Sequence, residues 1–247
     1  MNIEQIKQLT SMPATAPTVG PNKVRCIDRE FFIVTYETDR EALKAVVPEP
    51  LQFDQPIVKF EVIKMEDFRG LGSFIESGQV IPVTLDGQAG QYVHQMYLNN
   101  FPAIAAGREI WGFPKKYAQP ELLYDSDCVL GRVFFGQCEI ARATMPYKWH
   151  AMDLEQVKQT METEPGYLLK IIPNADNTPL ITQLVKYHMQ DVVVKEAWSG
   201  PGALELFNHA LAPMAELPVK KVLSAQHIIA DLTLSWGEVV VDYQTDY

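Results

Sequence analysis

A rhythm of short β-branched and aromatic runs, cut by glycine and proline, most constrains how this chain can fold. EFFIVTY (30–36), IVKFEVIKM (57–65), GSFIESG (72–78) and QYVHQMYL (91–98) have the composition of strands, and Gly70, Gly72, Gly78, Gly87 and Gly90 mark turns among them. CVLGRVFFG and CEIARATM pair as a hairpin around Gly136 and Gln137. YLLKIIP reads as a strand, ITQLVKYHMQDVVVKEAW as one long strand or a bent pair, and KVLSAQHIIADLTLSWGEVVVDY as further strand. Helices are few. Ile3, Ile6 and Leu9 recur at helical spacing before the proline-rich MPATAPTVGP; Thr38 and Glu41 have capping-box spacing ahead of DREALKAVV, which Pro48 and Pro50 end. Asp153 caps LEQVKQTME, and GALELFNHAL, with Leu204, Phe207 and Leu211, reads as a compact helix. Roughly ten strands and three or four helices give a β-rich α+β fold, mostly antiparallel, whose sheet is expected to close into a barrel or cone and so lose its edges. Residues 1–247 are expected to form a single domain, with 1–20 as an N-terminal arm.

Charge narrows the partners. With 31 acidic and 21 basic residues the formal net charge is −10, and no Lys/Arg run builds a stripe for nucleic acid, which is excluded as a partner. An anionic substrate would need a locally positive pocket in so acidic a molecule. No stretch approaches the ~20 apolar residues of a membrane span, and the first dozen residues lack a basic-then-apolar leader, so no membrane association and a cytoplasmic location are expected. Cys26, Cys128 and Cys138 lack C-x-x-C spacing and read as reduced, mostly buried thiols. His94, His150, His188, His209 and His227 are scattered without metal-ligand spacing, and no G-x-S-x-G, P-loop or G-x-G-x-x-G occurs.

What remains is EIWGFPKKYAQPEL (109–122), where Lys115 and Lys116 sit side by side in an apolar, stiff stretch. Paired lysines are ordinarily a solvated surface feature. Here Gly112 permits a sharp bend, Pro114 restricts Phe113, and Trp111, Phe113 and Tyr117 put apolar bulk beside the amines. A free lysine has a pKa of about 10.4, and a mostly neutral amine at pH 7 needs that value lowered by about four, roughly 5 kcal/mol. In an extended segment the two side chains leave opposite faces with nitrogens ~12 Å apart, where repulsion supplies only about 1.4 kcal/mol. Burial of Lys115 must supply the larger share, with Lys116 as helper and architectural anchor.

GREIWGFPKKYAQPEL, FIESGQVIPV and PNKVRCIDREFF together resemble the acetoacetate decarboxylases, with further similarity in VVPEPL, YLLKIIPN and EAWSGPGALELFNHALAP, from about Pro21 to Asp242. That family is itself a standard instance of an activated lysine. The resemblance implies decarboxylation of a β-keto acid, acetoacetate, to acetone and CO2 through a lysine imine and an enamine, with no cofactor and no metal. It makes Lys115 the condensing amine, Lys116 its neighbour, Glu76 the acid/base carboxylate, Glu61 a second pocket carboxylate and Arg29 the pocket arginine. Arg29 then either docks the substrate carboxylate or holds Glu61 and Glu76. It also implies a large homo-oligomer, a dodecamer. Phe113, Met96 and Tyr97 are expected to wall the pocket, and Ile110, Trp111, Gly112 and Tyr117 stand where members of the family are expected to vary. Two other readings stay open: a Schiff-base aldolase or dehydratase acting on a larger oxo acid on the same scaffold, and a non-catalytic barrel that binds small ligands.

Overall fold

The computed structural model describes residues 1–18, 20, 24–68 and 70–246, so the start of the PNKVRC stretch, residues 21–23, lies outside the described residues. The first half runs α1 (Ile3–Lys7), β1 (Val24–Glu37), α2 (Arg40–Lys44), β2 (Ile57–Phe68), β3 (Gly72–Leu85), β4 (Gln88–Leu98) and α3 (Phe101–Ala106), then a π-helical turn (Gly107–Trp111). There follow β5 (Lys115–Tyr117), β6 (Gln119–Asp125), β7 (Cys128–Phe135), β8 (Cys138–Pro146), β9 (His150–Ala151) and α4 (Leu154–Thr163). The chain ends with β10 (Gly166–Pro173), β11 (Pro179–Tyr187), β12 (Met189–Gly200), β13 (Ala203–Leu206), a short 3-10 turn (Met214–Glu216), β14 (Lys221–Leu234) and β15 (Glu238–Asp242).

Most of these strands join one 11-stranded sheet in the order β15-β11-β10-β4-β3-β2-β1-β14-β12-β9, with β5 added beside β4. A second sheet of four strands has the order β13-β8-β7-β6. Pairing is antiparallel except where β4 meets β10 and β5. The expected closed barrel is not what the ladder forms: among the described residues no pairing joins β15 to β9, and the sheet is open. Its edges are blunted instead by brevity, two residues at β9 and five at β15.

Side-chain alternation divides the long strands between two cores. Phe32, Val62, Ile81 and Tyr97 face the second sheet and pack with Leu122, Val129, Val133 and Ile140. Their neighbours Phe31, Ile63, Val80 and Met96 point the other way, into a core with Phe74, Phe113, Leu168 and Ile228. Each such side chain fully buried is worth about 1.5–3 kcal/mol, so a one-residue slip of register would exchange the two cores and is strongly opposed.

Several local expectations change. Residues 202–211 are not a helix: Ala203–Leu206 adds to β8, placing Leu204 opposite Ala143, while Phe207 and Leu211 are exposed, so their helical spacing marks no buried face. The cap of α2 is Asp39, whose carboxylate accepts from the backbone N–H groups of Glu41 and Ala42, not Thr38. ITQLVKYHMQDVVVKEAW is the bent pair, β11 and β12, broken at His188. Asp153 caps α4 as expected. Only Cys26 of the three free thiols is buried; Cys138 is exposed. No helix among the described residues is long and apolar enough to cross a membrane.

Candidate active site

The second of those cores is not filled. It encloses a cavity of about 150 Å3 whose walls come from β1, β2, β3, β4, β5 and β14, with Thr160 and Met161 of α4 covering one side. Cross-strand register brings the charged residues together: Glu61 lies opposite Gly78, Gly78 opposite Met96, and Met96 opposite Lys115, a single row across four strands. Glu76 stands two residues from Gly78 on the same face of β3. Sequence separation is thereby turned into proximity by the ladder alone.

Arg29, Glu76 and Lys115 form a buried charged group, at 8%, 3% and 8% exposure. Arg29 donates from Nη2 to Glu76 Oε1 at 3.2 Å, and Lys115 Nζ lies 3.2 Å from Glu76 Oε2. The lysine contact is an ion pair without hydrogen-bond alignment, and Arg29 Nε is a buried donor with no hydrogen-bond partner among the described residues. Two basic side chains flank this one carboxylate, an arrangement suited to an anionic ligand in an otherwise acidic chain. Around the amine stand Phe113, its ring centroid 5.0 Å from Nζ, and Phe74 at 5.9 Å. The buried carboxylate partner is a feature that the sequence argument for an uncharged amine did not contain.

Glu61 faces the same cavity without a cation in ion-pair contact among the described residues. Burial pushes its carboxyl up to about 7, with Lys59 and Arg29 opposing and Glu76 adding to the rise. It is therefore divided between acid and carboxylate near neutral pH. Cys26, wholly buried near Arg29, is pushed up to about 12 by burial and stays a thiol.

Of the residues singled out from sequence, Lys115, Glu76, Glu61, Arg29, Phe113 and Met96 line the cavity. Lys116 and Tyr97 do not. Each follows a cavity residue directly along a strand, so alternation sends it to the other face. Lys116 is exposed and donates to the carbonyl of Leu211, its Nζ 5.3 Å from the Phe135 ring centroid, tying β5 to the segment after β13. Tyr97 packs in the core between the sheets and donates to Gln95 Oε1 at 2.6 Å. Sequence reasoning missed Tyr187, Phe74 and the α4 wall, where Glu164 accepts from Gln91 at 2.6 Å. Tyr187 and the α4 wall come from elements distant along the chain, whereas Phe74 lies two residues before Glu76 on β3, where strand alternation marks it as sharing that face.

A buried lysine paired with a carboxylate in an apolar pocket is the kind of environment in which functional amines are found. Residues 11–244 match the family model for acetoacetate decarboxylase, and the chain belongs to that family. It is 52% identical over 233 residues to the acetoacetate decarboxylase of Acidiphilium cryptum, covering 94% of this chain and 95% of that one. A solved acetoacetate decarboxylase structure superposes with a TM-score of 0.95 at 46% identity, covering 98% of this chain and 99% of its own. The enzyme from Legionella pneumophila gives 0.93 at 44% identity, covering 99% and 98%.

Proposed function

We propose that this chain decarboxylates acetoacetate to acetone and CO2 through an imine on Lys115. The observation that carries the reading is the Lys115 amine held 3.2 Å from Glu76 Oε2 within an apolar cavity. An ammonium is not a nucleophile, and Oε2, 3.2 Å away, is within reach to take the proton before attack once the contact tightens around the substrate. The amine adds to the ketone carbon, and loss of water leaves a protonated imine. The electron pair of the bond to the carboxylate carbon then flows into that imine, CO2 departs, and an enamine remains. The imine itself is the electron sink, so the reading calls for no further cofactor.

A proton must next reach the enamine carbon, and Glu61, pushed up to about 7, is suited to donate it. Water then hydrolyses the imine and frees acetone. Arg29 holds Glu76 through Nη2, and its Nε, without a hydrogen-bond partner among the described residues, offers the arriving carboxylate a contact; a tight grip there would oppose CO2 loss, so the contact belongs to docking. We infer also that the chain works as a homo-oligomer, a reading supported by the exposed apolar side chains of its arm.

Borohydride reduction in the presence of acetoacetate, with peptide mass mapping and CO2 release measured in parallel, tests the reading. One adduct on Lys115 and rapid CO2 release are expected. An adduct without CO2 would favour an aldolase or dehydratase on a larger oxo acid, and no adduct would favour a binding protein.

A further inference from the structure

We propose that Gly107 is a positioning residue for Lys115, its missing side chain setting where the amine sits; the proposal rests on the reading of Lys115 as the nucleophile. Gly107 has φ −62° and ψ −43°, ordinary helical values that any residue adopts, so the backbone does not ask for glycine. Space does. A Cβ at 107 would lie 2.7 Å from Lys115 Cδ, 2.8 Å from Cε and 3.2 Å from Nζ. Carbon atoms rest at about 3.5–4.0 Å, so a methyl group here would displace the end of the lysine by about 1 Å.

The lysine end would give way because the floor beneath it is held. The Gly107 carbonyl accepts from the N–H groups of both Gly112 and Phe113, at 2.9 and 3.0 Å, which is how the π-helical turn closes. Lys170 Nζ donates to Ile110 O at 2.8 Å, and Trp111 Nε1 to Ser235 O at 2.8 Å. Arg108 Nη1 donates to Lys115 O at 3.2 Å, coupling the turn to β5. The turn therefore presents a bare backbone surface along which the lysine stem lies, aiming Nζ at Glu76.

Gly107→Ala is expected to fold, to lose about a hundredfold in kcat with little change in KM, as expected for an ~1 Å misplacement, and to trap proportionately less imine at Lys115. A melting cycle separates positioning from general structure. In a Lys115→Ala background the contacting atoms are gone, and Gly107→Ala should raise Tm, as alanine for glycine does in a helix. With Lys115 present the change should be smaller or negative. Should Gly107→Ala fail to fold beside Lys115 yet fold in the Lys115→Ala background, the contact is upheld. An equal Tm change in both backgrounds, failure to fold in both, or native kcat and trapping in Gly107→Ala overturns the proposal. If the unaltered protein itself traps no adduct, the imine reading falls, and the melting cycle still decides the Gly107–Lys115 contact.

Discussion

Glu76 meets Arg29 and Lys115 at 3.2 Å each, whereas Glu61, one row away, meets no cation so closely among the described residues. Two carboxylates in one cavity are thus given different surroundings by their neighbours. Glu61 has its carboxyl raised by burial from 4.5 to about 7, so it is a proton donor below that value and loses the proton above it. If it protonates the enamine, turnover should fall as pH rises through about 7. Glu61→Gln should remove that limb from the pH–rate profile and lower kcat by about a hundredfold or more. Stability carries the same sign: the unfolded chain releases the Glu61 proton at about 4.5 and the folded chain at about 7, so folding loses stability as pH rises between those values. At pH 8 the burden is up to ~3 kcal/mol, and Glu61→Gln should recover part of it in urea denaturation. An unchanged midpoint at pH 8, with the pH–rate limb intact, would remove Glu61 from the donor's place.

At the scale of elements, the segment from α3 through the π-helical turn to β5 brings Phe113 and Lys115 into the site. Asn100 caps α3 by accepting from Ala103 N at 2.8 Å, with Pro102 in the first turn, a local start signal that sequence reasoning missed. The turn itself had no such signal, since the groups that hold it lie far along the chain: Ser235 O for the Trp111 indole and Lys170 Nζ for the Ile110 carbonyl. Gly112 ends it at φ +92°, and a Cβ there would stand 2.4 Å from Lys170 Cβ and 2.7 Å from its Cα. Gly112→Ala should therefore cost at least about 2 kcal/mol in chemical denaturation, from left-handed strain and backbone collision together, and should reduce activity with it. A variant of native stability would show that β10 yields at this contact.

Across the whole molecule, α1 buries no residue, and Ile3 and Met12 are 70% and 73% exposed. Apolar side chains so placed cost little when a second copy covers them. Sedimentation should report a homo-oligomer for the full chain and a smaller species after deletion of residues 1–17; a full-length monomer would contradict the inferred assembly. The sequence alone determined most strands and the Asp153 cap, because alternation, β-branching and capping are local properties read within a few residues. It also placed Lys115, Glu76, Glu61 and Arg29 at the site through motif resemblance. Only the tertiary structure decided that the large sheet stays open, that residues 203–206 pair with β8 as a strand, that Tyr97 and Lys116 turn away from the cavity, and that Gly107 meets the lysine stem. The physical reason is range: a strand's composition is written in its own residues, but its partner, its register and the face it buries are set by segments tens to hundreds of positions away.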